Sequence, residues 1–303
     1  MPFCKIQHFL KRFIQNMARL GASQTQNGGM YMYYKAVFSD VDGTLLNSRH
    51  RITARTREAI RYLTEERHIP FILVSARMPQ AILPLQDELG INAPIVAFGG
   101  ALVLGSAQTD GTREAILNLR TEASVTTRLQ RLVIRQFPSI CFTSYDQERW
   151  LVPSTDDPWV VQEMEITGIM PIARDPADVG KRPVLANKAM CMGEPEEIVS
   201  LAQVLESHFP ELTLFRSKPH YLEIMAPGVN KSAAIQALLP FLGLHRGEII
   251  AVGDNYNDVD MLTFAGLGVA MGNAPDEVKA LADEITASHD EDGIAQLIEK
   301  HFP

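Results

Sequence analysis

With 303 residues, 46% of them hydrophobic and 21% charged, the chain has the composition of a globular protein with a sizeable core, in one large domain or two smaller ones. A formal net charge of −8 argues against a nucleic-acid or anionic-membrane surface. Three widely spaced cysteines with no C-x-x-C pair give no sign of a disulfide framework or zinc knuckle, which points to a reducing, cytoplasmic location, and no apolar run approaches the roughly 18 residues of a membrane span.

The first 30 residues form a basic extension. Lys5, Lys11, Arg12 and Arg19 are unmatched by any acid, and Phe3, Ile6, Phe9, Phe13, Met17 and Leu20 recur at helical spacing. This is either a basic amphipathic surface or targeting helix, or a disordered or accessory stretch ahead of a later start at Met30 or Met32. Gly21 to Gly29 has the composition of a flexible linker.

From Tyr34 onward strands and helices alternate, which marks an α/β sheet. Lys35–Ser39 is expected as a short buried strand that ends in Asp40-Val41-Asp42-Gly43-Thr44. Residues two apart on a strand share a face, so Asp40 and Asp42 repel unless a cation or a shared proton lies between them. Thr53–Glu66 is expected as a helix capped by Thr53, Pro70–Val74 as a second strand ending at Ser75-Ala76-Arg77, Pro79–Leu89 as a helix, and Pro94–Phe98 as a third strand ending at Gly99-Gly100. Each strand runs into a polar or glycine-rich turn, where doubly wound sheets place their ligands.

The middle of the chain changes character. Ile140–Tyr145 and Arg149–Val152 read as a hairpin turning at Asp146-Gln147, Leu185–Met192 as a strand, Glu196–Phe209 as a helix, and Leu212–Arg216 with Tyr221–Met225 as a second hairpin. Together they predict an α+β insert over residues 112–226, with 156–183 left without defined elements. The βα pattern resumes with a helix at Lys231–Leu242, a strand at Glu248–Val252 ending in Gly253-Asp254, a helix at Asp258–Ala265, a strand at Leu267–Ala270, and helices at Pro275–Ala282 and Gly293–Lys300. The core is therefore 31–111 and 227–303.

Four signals carry chemistry, each at an expected strand end or helix start. One of Asp40 and Asp42 serves as nucleophile and metal ligand and the other as general acid and base, a division suited to phosphoryl transfer. Asp254 ends a strand as Asp40 does, so the two can share one hard cation, with Asn257 and Asp258 in the next helical turn. Ser75 can give a hydroxyl bond to phosphate, supported by the amides of Ala76 and Arg77, and Lys231 supplies a point positive charge.

In this order, with Gly253-Asp-Asn-Tyr-Asn-Asp-Val-Asp-Met-Leu, Gly268-Val-Ala-Met-Gly-Asn-Ala and Glu291-Asp-Gly-Ile-Ala downstream, the chain resembles the haloacid dehalogenase-like (HAD) phosphohydrolases over about residues 34–300, and among them the Cof-type phosphatases with a type IIB cap. The resemblance implies a Rossmann-like, mostly parallel core with an inserted α+β cap. It implies an aspartyl-phosphate on Asp40 and proton transfer by Asp42. Mg2+ would be held by Asp40, the backbone carbonyl of Asp42 and Asp254. Phosphate would be held by the amides of Val41 and Ala76 with Ser75, Lys231 and Asn257, and Asp258 would be a supporting acid. The implied substrate is a small phosphorylated metabolite, such as a sugar phosphate, pyridoxal phosphate or flavin mononucleotide; a phosphosugar mutase and a non-catalytic phospholigand-binding protein are the alternatives. Two positions depart from the family pattern: Ala76 replaces a glycine, and Gly99-Gly100-Ala101 replaces Asn-Gly-Ala.

Other residues fit packing roles. The glycines at 266, 268 and 272 miss the dinucleotide-binding spacing, and the eight histidines show no metal spacing. Cys141 and Cys191 are expected as buried small hydrophobes, Met170, Met190 and Met192 as packing, and Tyr145, Arg149, Trp150 and Trp159 as cap packing or pocket lining.

Overall fold

A computed structural model of the protein describes residues 34–175, 181 and 184–303. The expected N-terminal helix and linker, with Met30 and Met32, lie outside these residues. The chain runs through β1 (Ala36–Ser39), α1 (Ala54–Arg61), β2 (Phe71–Val74), α2 (Pro79–Leu89), β3 (Ile95–Ala97), β4 (Leu102–Leu104) and β5 (Ala115–Asn118). It continues through α3 (Ala123–Gln136), β6 (Cys141–Asp146), β7 (Arg149–Val152), α4 (Pro158–Thr167), β8 (Ile172–Ala173), β9 (Lys188–Met192), α5 (Pro195–His208), β10 (Thr213–Lys218) and β11 (Tyr221–Met225). It closes with α6 (Lys231–Leu242), β12 (Ile249–Gly253), α7 (Val259–Phe264), β13 (Leu267–Ala270), α8 (Asp276–Lys279), β14 (Glu284–Ile285) and α9 (Gly293–His301).

The strands form two sheets within one compact unit, Tyr34–Pro303. The larger has eight strands in the order β14-β13-β12-β1-β2-β3-β4-β5. It is parallel from β14 to β3, and β4 and β5 add two antiparallel strands. β1 and β2 are buried at every position, as strands covered on both faces must be. Val37, Leu73 and Ile95 pack to one side with Ile60 and Ile298, whereas Phe38, Ile72 and Val96 pack to the other with Ile235 and Leu238. The hydrophobic code of period two thus sandwiches the sheet between helix layers.

The chain winds outward from β1 to β2 and β3, then returns to β12 on the opposite side of β1. The boundary between β1 and β12 is a topological switch point, so the turns after these strands diverge and leave a crevice at their carboxyl ends. Asp40, Ser75 and Asp254 follow β1, β2 and β12 there.

The smaller sheet, β10-β11-β9-β6-β7-β8, belongs to the middle of the chain, as the α+β insert requires. Its hairpins β6–β7 and β10–β11 fall where the alternation puts them, although the first turns at Gln147-Glu148, one residue later. Several elements go beyond expectation. β5 lies inside the span expected to be insert, yet it pairs with β4 of the large sheet. Helix α3 was not anticipated, and 156–183 holds α4, capped by the Asp157 side chain accepting from the Trp159 amide. The expected helix at Asp258–Ala265 begins as a tight 3-10 turn, Tyr256–Asp258. Met190 and Met192 are buried, but Met170 is 74% exposed and plays no packing role.

Candidate active site

Asp40 is 7% exposed at the end of β1, and its amide donates to the Val252 carbonyl of β12, 2.9 Å away. Lys231, at the start of α6, is 2% exposed and donates from Nζ to Asp40 Oδ1 and to Asp258 Oδ1, both at 2.5 Å. The other oxygen of Asp258 accepts from the amides of Asp254 and Asn255 at 2.9 Å each. Asp258 is fully buried, so these bonds compensate its lost hydration and fix the turn after β12. Thr44 donates to Asp254 Oδ1 at 2.8 Å.

Carboxylate oxygens of Asp40, Asp254 and Asp258 lie within 4.8 Å of one another. Three carboxylates against one ammonium leave a double negative charge in a closed space. Burial pushes Asp40 well up despite Lys231, with Asp258 and Asp254 adding to the rise. Burial and Asp258 push Asp254 up to about 6. Burial alone would lower the Lys231 ammonium, but Asp258 and Asp40 outweigh it and hold the group above its usual range. The donor set is all hard oxygen, and a divalent cation cancels the excess charge, so the residues fit Mg2+. The Asp42 side chain stands apart from this group.

Asp42 points toward Arg77, whose guanidinium grips it with two bonds, Nε–Oδ2 at 2.8 Å and Nη2–Oδ1 at 2.6 Å. Its side chain is 52% exposed, at the mouth of the crevice. Val41 is fully buried, and its carbonyl accepts from the amides of Leu45 and Leu46, which closes the turn that carries Asp42. That turn needs Gly43: its φ is +79°, and a Cβ there would stand 2.4 Å from Asp254 Oδ2.

Ser75 is 2% exposed, and its hydroxyl oxygen accepts from the Arg77 amide at 3.1 Å. The Ala76 carbonyl accepts from Nζ of Lys188, which reaches across from the smaller sheet, at 2.9 Å. Asn257 sits half-buried in the 3-10 turn. Under the phosphate-site candidates runs Phe98-Gly99-Gly100, with φ of 52°, 63° and 112°. Phe98 and Gly99 donate from their amides to the carbonyls of Arg77 and Ser75. A Cβ on Gly100 would meet the Asn230 carbonyl at 2.2 Å, so this glycine lets the loop touch the start of α6.

Asp40, Asp254, Asp258 and Lys231 thus meet directly, while Asp42, Ser75 and Ala76 meet the chain through Arg77 and Lys188. Sequence reasoning noted the Arg77 amide but not its guanidinium, and it missed Thr44 and Lys188. The signal for Thr44 is its place two residues beyond Asp42, on the turn facing the second strand-end acid. Lys188 had a weaker one, a lysine inside the apolar strand 185–192. Cys141 and Cys191 are buried, and burial pushes both thiols up, away from nucleophilic use. Tyr145 and Trp150 are buried, Arg149 pairs with Asp146, and Trp159 packs on His220.

The family model of haloacid dehalogenase-like hydrolases matches residues 37–298. A phosphatase-named protein of Haemophilus influenzae is 39% identical over 272 residues, 90% of this chain and 100% of the relative. A 5-amino-6-(5-phospho-D-ribitylamino)uracil phosphatase of Bacillus subtilis is 29% identical over 87% of this chain and 96% of its own. Among solved structures, a haloacid dehalogenase-like hydrolase from Bacteroides thetaiotaomicron superposes with a TM-score of 0.79 at 31% identity, covering 89% of this chain and 100% of its own. A HAD subclass IIB sugar phosphatase shares the fold with a TM-score of 0.72 at 23% identity, over 88% and 98% of the two chains.

Proposed function

We propose, for a chain that belongs to the haloacid dehalogenase-like hydrolase family and is a phosphoric monoester hydrolase, that it hydrolyses small phosphate monoesters with Mg2+ through an aspartyl-phosphate on Asp40. The observation that carries this reading is the meeting of Asp40, Asp254 and Asp258 around Lys231 at the switch point of the sheet. The proposed division takes 34–119 and 227–303 as the core and the residues between as the cap, since β5 pairs within the core sheet.

A carboxylate oxygen of Asp40 attacks phosphorus, and the bond from phosphorus to the ester oxygen breaks. Asp42 gives its proton to the departing oxygen, then takes one from the water that attacks phosphorus, which breaks the bond to Asp40 and releases inorganic phosphate. Lys231 holds Asp40 in place and offsets charge on the phosphoryl group, which Ser75, Asn257 and the amides of Val41 and Ala76 bind. Asp40, the carbonyl of Asp42 and Asp254 would hold Mg2+, which cancels repulsion between anionic substrate and anionic nucleophile. Asp258 supports both Lys231 and the turn that presents Asp254.

Phosphate release from a panel of monoesters, with Mg2+ and with EDTA, tests the reading. The expected result is Mg2+-dependent release that Asp40→Asn abolishes. Activity surviving in Asp40→Asn would overturn the mechanism.

A further inference from the structure

The cap sheet has two unlike faces. One is sealed by the cap's own helices, with Phe142, Cys191 and Leu222 packed on α3 and α5. By the alternation of strands, Lys188 and Glu223 lie on the other. That face turns to the core, where Tyr145, Trp150 and Met190 share a buried cluster with Val41 and Phe98.

In this apolar setting Lys188 and Glu223 stand out. They are 6% and 5% exposed and form an ion pair at 3.3 Å. Burying such a pair costs desolvation that an apolar pair would avoid, so it contributes little to stability. Lys188 also donates to the Ala76 carbonyl, one residue from Ser75, which puts its ammonium at the rim of the proposed phosphate site. It lies 5.1 Å from the centre of the Tyr145 ring. Tyr145 in turn stacks on Trp150 at 5.8 Å with an interplanar angle of 2°. Among the described residues, the Trp150 indole N–H is buried without a partner. An orphaned buried donor is costly, and a ligand oxygen would satisfy it.

The charge balance limits what fits. Glu163 of α4 accepts from the Tyr221 hydroxyl at 3.0 Å, and Lys218 lies 4.7 Å from the centre of the same ring, so two carboxylates, Glu163 and Glu223, stand with two ammoniums, Lys188 and Lys218. With its charges balanced, such a surface gives a second anionic group no net attraction. Its donors and acceptors match hydroxyls.

We propose that Lys188 and Glu223 are specificity-determining residues that read the leaving group, selecting one rich in hydroxyls and lacking a second anionic group. This rests on the phosphatase reading above. Sorbitol 6-phosphate, phenyl phosphate and fructose 1,6-bisphosphate, assayed with Mg2+, test it. For the unaltered protein, kcat/KM is expected to favour sorbitol 6-phosphate at least about tenfold over the other two. In Glu223→Gln the value for sorbitol 6-phosphate falls about tenfold further than that for phenyl phosphate, chiefly through KM. Because either single change leaves a buried charge unpaired, Lys188→Met/Glu223→Gln, which removes both, provides the same readout without that cost. Equal losses on sorbitol 6-phosphate and phenyl phosphate in the double variant would overturn the proposal, as would a preference of the unaltered protein for the bisphosphate or the phenyl ester. If the unaltered protein released no phosphate from any of the three while Asp40→Asn behaved identically, the phosphatase reading would fall and this proposal with it.

Discussion

Lys231→Met removes the ammonium that Asp40 and Asp258 share while keeping a side chain of similar length in the same space. Two carboxylates, 7% and 0% exposed, are then left without their cation. Breaking a buried pair from one side costs about 3–5 kcal/mol. Counting the two charge-assisted bonds separately gives roughly 3–6 kcal/mol, in agreement. For a chain of this size that corresponds to a fall in Tm of about 10 °C. Thermal unfolding in EDTA at pH 7.5 measures it. Burial already pushes Asp40 up, so without Lys231 it takes a proton more readily, and the loss should shrink as the pH is lowered toward 5. Mg2+ should also restore part of the stability, since it supplies the missing positive charge. A variant within about 1 kcal/mol of the parent in EDTA, or a loss that neither acid nor Mg2+ reduces, would refute the electrostatic account of this cluster.

Asp254 is pushed up to about 6, so below that pH it is protonated and cannot ligate a cation. Half-saturating Mg2+, measured by calorimetry, should rise about tenfold per pH unit below 6 and level off above 7; an affinity constant from pH 5 to 7.5 contradicts this. In EDTA the same raised value means that the stability Asp254 contributes is fully present below its unfolded value and is lost as the pH rises through about 6. Gly43→Ala places a Cβ 2.4 Å from Asp254 Oδ2 on a backbone at φ +79°. The left-handed conformation alone costs about 1–2 kcal/mol, and Asp254 must move, so Mg2+-dependent turnover should drop at least about tenfold; parental kcat in this variant would show that the turn is not as tight as described.

Much of the site was legible because its residues occupy positions that topology makes special. Asp40, Ser75 and Asp254 each follow an apolar strand, and parallel strands bring such positions to one edge. The division of labour between Asp254 and Asp258 was harder to foresee. Both are acids in one turn, but only folding shows that Asp258 is buried, accepts from Lys231 and fixes the turn, while Asp254 faces Thr44. Arg77 lies in the second motif, yet its grip on Asp42 depends on the path of two loops 35 residues apart in sequence. Helix α3 is written in Val125, Leu129, Leu132 and Val133 at three- and four-residue spacing, within a stretch where the insert's strands dominate. β5 escaped because its burial is partial along an edge strand, so it shows no clear alternation. Lys188 breaks the apolar pattern of its strand, and its meaning emerges only across the gap between cap and core.

Residues 98–101 touch the second-motif loop, the start of α6 and both passages between core and cap. On the inbound passage the Leu119 amide donates to the Ala101 carbonyl at 2.7 Å. On the outbound passage Met225 Sδ lies 3.7 Å from the Cβ position of Gly99. Both passages are therefore tied to this one segment. Gly99 also donates to the Ser75 carbonyl, so the segment joins both passages to the end of β2. A side chain at Gly100 would pry α6 away and one at Gly99 would press toward Met225, so the pair sets how closely α6 and the outbound passage approach this loop.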